Sequence, residues 1–184
     1  MIKKLIKGTS VIAISNFLGK VFAFFTLSLI ARSLGPQEFG QMAVILSVAS
    51  IFSTFSATCF PQSLLWRMND SSNPRSKKDV FSTSFFSIFF TILISSLFIY
   101  WITNDFIIIF IILVADSVYY LFMNLHLSQT NYNYVSIINI LRSLIKFILI
   151  SSILLIEENI LPLNVYAAAL VYPISMILSL FLVE

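Results

Sequence analysis

Uninterrupted apolar stretches of about twenty residues, separated by short polar breaks, run the length of this chain and leave few folds open to it. A hydrocarbon core roughly 30 Å thick is crossed by about 20 helical residues at 1.5 Å each. Water would be a poor solvent for such a sequence. Of its residues 59% are hydrophobic and only 10% charged, against about a quarter charged in soluble domains. A transmembrane β-barrel is disfavoured, because barrel strands alternate in polarity over about ten residues and these runs do not. The expected fold class is therefore an all-α integral membrane bundle of about six transmembrane helices.

The breaks place those helices at about 9–31, 39–60, 80–102, 105–127, 134–156 and 164–183. Residues 1–8 form a short basic amino terminus with Lys3, Lys4 and Lys7. It resembles the start of a signal peptide, but the apolar run after it is too long, holds Lys20 at its centre and lacks a small-residue cleavage site. A retained first helix is expected. Leu34-Gly35-Pro36 makes a tight turn after it, since Gly and Pro both stop helices. The longest polar stretch, 62–79, carries Arg67, Arg75, Lys77 and Lys78. With the amino terminus in the cytoplasm, these four and the three amino-terminal lysines lie inside and only Arg32 lies outside, a clear positive-inside bias. The same orientation puts Tyr100 and Trp101 at an outer interface, where amphipathic rings belong. The basic pI of about 9.1 is thus explained by topology, without nucleic acid as a partner. The single Cys59 rules out an internal disulfide and a cysteine metal site, and the single His126 falls at the inner end of its helix, where an interfacial role suffices. No metal site or cofactor is expected.

Helical periodicity separates the faces of the first helix. Thr9, Ala13, Asn16, Lys20 and Ala23 share one face and are expected to look inward. Val11, Ile14, Leu18, Phe22, Phe25 and Leu29 share the opposite face and are expected to meet lipid. The second helix has a stripe of small residues (Ala43, Ser47, Ser50, Thr54, Ala57) that suits close packing or a pathway lining. In the fifth helix Ser136, Asn139, Arg142 and Lys146 recur at spacings of three, three and four.

Four ionisable residues fall inside these spans: Lys20, Asp116, Arg142 and Lys146. Each charge at mid-membrane costs about 2.5–3.5 kcal/mol on insertion scales, so such groups face a bundle interior and serve function unless a structural ion pair explains them. Lys20 and Lys146 come about 18 Å from the inner surface and Asp116 about 16 Å from either end of its helix. All three are near the bilayer centre, too deep for easy snorkelling, whereas Arg142 at about 12 Å is within reach of an interface. Asp116 can balance one cation, and the excess favours a cavity for an anion. Pro173, inside the last helix, removes a backbone hydrogen bond and is a candidate hinge or a structural kink.

Lys7-Gly8 and the stretch from Ala31 to Gly40, reading A-R-S-L-G-P-Q-E-F-G, resemble the opening of bacterial polysaccharide flippases. These are the O-antigen and capsule transporters of the multidrug/oligosaccharidyl-lipid/polysaccharide exporter superfamily. Arg142 and Lys146 in the fifth helix are similar to the family as well. The resemblance implies a multi-pass protein of the bacterial inner membrane with a cytoplasmic amino terminus, flipping an undecaprenyl-diphosphate-linked oligosaccharide outward. Lys20, Asn16, Arg142 and Lys146 would then bind the anionic, sugar-bearing substrate, and Asp116 would balance charge or carry a coupling ion. Family members have two lobes of helices around a central cavity, and this chain is equivalent to one lobe. A truncated half-transporter is therefore expected, with a second lobe or other polysaccharide-assembly proteins, and membrane lipids, as partners.

Three other readings compete. A drug exporter of the same superfamily would suit cationic substrates and acidic residues. A membrane polymerase or acyltransferase needs catalytic groups at an interface, yet the outer loops are short and Asp70 and Asp79 have no histidine nearby. An inactive or scaffolding fragment is the last. The expectation is a transporter and not an enzyme.

Overall fold

The computed structural model describes residues 2–55, 77–129, 131–157 and 164–183. The expected end of the second helix with Ala57 and Cys59, loop residues 62–76 and the Glu158-Asn159 turn lie outside the described residues. Five helical elements follow in order: α1 (Ile2–Ser53), α2 (Lys77–Ile102), α3 (Phe106–Ser128), α4 (Tyr132–Glu157) and α5 (Val165–Phe181). There is no strand among the described residues. The protein is an all-α, multi-pass membrane protein. Gly8–Ser53, Ser82–Trp101, Phe106–Ser128 and Tyr132–Leu155 are long and apolar enough to cross a bilayer, and Val165–Phe181 is a shorter apolar helix.

α1 is two helices joined at a single residue. Gly35 adopts φ 74°, ψ 174°, a conformation open to glycine and strained for any residue with a Cβ. Pro36 follows as the first residue of the second limb, where its missing N–H costs nothing. Helix therefore reaches closer to the turn on both sides than the expected spans of 9–31 and 39–60, because one Gly-Pro pair supplies the whole change of direction. A Cβ at Gly35 would meet nothing within 4 Å, so the backbone angle, not space, calls for glycine.

The chain divides into two compact units. The first holds Met1–Leu46 and Tyr132–Glu184, the second Ser47–Asn131. Within the first, α5 packs on α4. Asn164 caps α5 by accepting a hydrogen bond from the Tyr166 amide at 3.2 Å. The 2–34 limb of α1 buries Gly8, Ser15, Gly19, Thr26 and Ile30. These are not the residues expected to look inward: Thr9, Ala13, Asn16 and Lys20 are exposed. The seam lies one position back, about 100° round the helix, because small residues rather than polar ones decide where two helices can approach. Phe22, expected to meet lipid, is half-buried, with its ring centroid 6.1 Å from that of Phe147 in α4. Ile14 and Phe25 are exposed, as a lipid-facing side requires.

In the second unit α2 packs on α3. α2 buries Ser84, Ile88, Ser95 and Ile99 at spacings of four and seven and leaves Phe85, Phe86, Phe89, Phe90 and Phe98 exposed. Exposed rings on such a helix have lipid as their solvent. Tyr100 and Trp101 project at its end, 68% and 87% exposed, as interfacial aromatics do. The small stripe of α1's second limb is not a packing face. Ser47, Ser50 and Thr54 are exposed, while Met42, Ile45, Ala49 and Ser53 are buried. Two of the hydroxyls bond locally, Ser50 donating to the Ser47 carbonyl (2.8 Å) and Thr54 to that of Ser50 (2.7 Å).

Gly35→Ala is expected to destabilise the protein by about 1–3 kcal/mol, read as a lowered unfolding midpoint in detergent micelles. An unchanged midpoint would show that the joint tolerates a Cβ.

Candidate functional site

In the first unit, the 2–34 limb of α1 and the middle of α4 flank an open cavity of about 240 Å³. Two local patterns build it. On α1, Asn16 and Lys20 are four residues apart and stand beside Ser15 and Gly19 of the packing seam. On α4, Asn139, Arg142, Ser143 and Lys146 recur at three- and four-residue steps, which gathers them on one face.

Gly19 permits the two helices to come together. A Cβ there would lie 3.1 Å from Ser143 Oγ and 3.7 Å from the Asn139 carbonyl oxygen. Ser143 has little freedom to yield, since its hydroxyl donates to that same carbonyl at 3.2 Å. Gly8 repeats the pattern a few turns earlier, where an added Cβ would fall 2.5 Å from the Tyr132 ring. At the cavity the Asn139 amide Nδ2 donates to Asn16 Oδ1 at 3.2 Å, a polar bridge from helix to helix. Lys146 Nζ stands 3.7 Å from the centroid of the Tyr172 ring on α5, within cation–π range.

The structure thus brings four of the anticipated residues, Asn16, Lys20, Arg142 and Lys146, to one cavity. Three are cations, and among the described residues that line the space there is no carboxylate. Asp116 does not belong to this wall. It is buried on α3 in the second unit, one turn before Tyr119 and Tyr120, whose rings pack edge to face at 5.6 Å. Ser136 shares the α4 face but is buried away from the cavity. Pro173 is buried within α5, and the helix continues through it. His126 lies in the last turn of α3, its carbonyl accepting from the Gln129 and Asn131 amides at 3.2 and 3.0 Å. Among the described residues no group of His, Cys, Asp and Glu could hold a metal ion.

Gly19, Ser143 and Tyr172 escaped the reading of the sequence. Ser143 was signalled by its place four residues after Asn139. Gly19 and Tyr172 carry no charge pattern and are recognised only from their neighbours in space.

The arrangement is a compact anion-attracting pocket with amide and hydroxyl groups able to bond sugars or phosphate oxygens. A family model described as polysaccharide biosynthesis protein matches residues 5–183. No curated protein and no solved structure matches the chain.

Gly19→Leu is expected to force α1 and α4 apart and cost about 1–3 kcal/mol. Gly19→Ala should stay within about 1 kcal/mol, because gained helix propensity offsets a shift of a few tenths of an ångström. Thermal unfolding of the two variants in one detergent checks the contrast, and equal midpoints would refute the close approach.

Proposed function

The chain belongs to the polysaccharide biosynthesis protein family, and from that premise we propose that it flips an undecaprenyl-diphosphate-linked oligosaccharide across the bacterial cytoplasmic membrane. The family sets a role in polysaccharide synthesis or export. One observation carries the finer reading: Lys20, Arg142 and Lys146 converge on a single cavity beside the Asn16–Asn139 bridge.

Three cationic side chains around one pocket favour an anionic group there. A diphosphate is a dense anion with oxygen acceptors in every direction, which suits an Arg fork and two ammonium groups. The cavity's size fits that part of the substrate. At about 240 Å³ the pocket is of a size to hold the head group. The paired amides and the Ser15 and Ser143 hydroxyls are suited to oxygens of the first sugar. Asp116, in the other unit, has the role of a coupling or charge-balancing group, and Pro173 that of a hinge in α5. The substrate leaves covalently unchanged, as befits a transporter. The amino terminus and the 62–79 loop lie in the cytoplasm, following the basic residues.

Expression in a flippase-deficient bacterial strain tests the assignment. Co-expressed with a second lobe, the wild-type chain is expected to restore surface polysaccharide, and Lys20→Ala or Arg142→Ala to lower it at least about tenfold, the effect of losing one charge-assisted contact to the substrate. Normal polysaccharide with both changes present would sink the reading. Orientation is checked separately: alkaline phosphatase fused after Asp70 should be inactive and green fluorescent protein at the same site fluorescent.

A further inference from the structure

The bond between Asn139 and Asn16 has a direction. Asn139 Nδ2 donates and Asn16 Oδ1 accepts, at 3.2 Å, beside the cavity that both residues line. We propose that Asn139 is a positioning residue, which engages the Asn16 oxygen and so turns the Asn16 NH2 group toward a bound ligand as a neutral hydrogen-bond donor. The ligand group it meets is an acceptor oxygen where phosphate joins sugar. This rests on reading the cavity as the site of an anionic, sugar-bearing head group.

An asparagine side chain holds one acceptor and two donors on opposite arms of its amide. Rotation about its last torsion is broad and roughly twofold, so an exposed asparagine presents either arm. Asn16 is exposed on α1, and its own burial therefore chooses neither. The bond from Asn139 does choose, because it commits the oxygen to α4 and leaves the N–H groups to other partners. The site thereby gains a donor of fixed identity. Such a donor selects an oxygen that carries no hydrogen, and being uncharged it adds specificity without changing the electrostatics.

Neighbouring contacts hold Asn139 in place. Its backbone carbonyl oxygen accepts from the Ser143 hydroxyl at 3.2 Å and lies where a Cβ on Gly19 would come within 3.7 Å. The two helices thus approach closely within one turn of Asn16, and a side chain as short as that of Asn139 reaches across. Lys20 follows Asn16 by four residues, which sets a neutral donor and a cation side by side on one wall. An oxyanion drawn to Lys20 brings its own oxygens, and those of an attached sugar, within reach of the amide.

The purified full chain in lipid nanodiscs is titrated calorimetrically with inorganic diphosphate and, separately, with α-glucosyl phosphate. Asn16→Leu removes the donor and should weaken binding about 2- to 10-fold, the range to which one hydrogen bond converts. Asn139→Leu frees Asn16 to turn over and should weaken binding about twofold or more, since two orientations then share the population. The double variant replaces both amides by apolar groups, which restores complementarity between the helices. Its unfolding midpoint should return toward that of wild type, while its binding stays as weak as that of Asn16→Leu. A bridge that serves only to join the helices would let binding recover along with the midpoint, and that result would overturn the proposal. Undiminished binding of both ligands by Asn16→Leu would overturn it as well. A loss that includes diphosphate puts the contacted oxygen on phosphate, and a loss with α-glucosyl phosphate alone puts it on the sugar; either supports the donor role. If a leucine variant does not yield monodisperse protein, methionine at the same positions decides by the same criteria. Failure of the wild-type chain to bind either ligand would remove the head-group reading itself, and this proposal with it. Binding that ignores Asn16 would remove only the latter.

Discussion

A bilayer interior that cannot hydrogen-bond obliges each backbone amide here to be satisfied inside its own helix, and it extends the same demand to side chains. Many hydroxyls comply by turning back on their own helices. Thr26 donates to the Phe22 carbonyl, Ser117 to that of Leu113 and Ser179 to that of Met176, each at 2.8 Å. Such groups are polar in name but indifferent to what lies beside them. Longer amides and cations are not so easily absorbed by their own helix. Asn16, Lys20, Asn139, Arg142 and Lys146 come together instead, in one cavity of the first unit. The site is where several of the longer polar groups of the first unit are collected.

That collection depends on one close contact. Because Gly19 has no side chain, α1 and α4 meet beside Ser143, and the longer residues on either side are set around the contact rather than in it. The Asn139–Asn16 bond then ties the helices at the cavity itself, and Phe22 against Phe147 adds apolar contact between the same two helices. The seam of small residues and the polar lining thus belong to one design: the first brings the helices near, and the second uses the space beside them.

The placement of helices was largely legible because a hydrocarbon solvent imposes a length and a continuity that show directly in the residues. The Gly35-Pro36 joint was legible too, since both residues act locally on the backbone. Faces were harder to read. In a soluble helix polarity marks the outside, but in lipid it does not, and Ser50 of α1's second limb illustrates why: it satisfies itself and stays exposed. Phe22 shows the converse, an apolar residue assigned to lipid that instead packs against a neighbouring helix.

By itself the sequence determined that this chain is an all-helical membrane protein, that four ionisable residues lie within its apolar spans and that its opening resembles a polysaccharide flippase. These follow from hydropathy, charge and local backbone rules, all of which act over a few residues. Only the tertiary structure decided that Lys20, Arg142 and Lys146 share a cavity, that Asp116 belongs to the other unit, and that Gly19 and Tyr172 matter to the site. Those outcomes turn on which helix approaches which, at what rotation. Side-chain size at the contact sets that rotation, and no one-dimensional pattern of polarity records it.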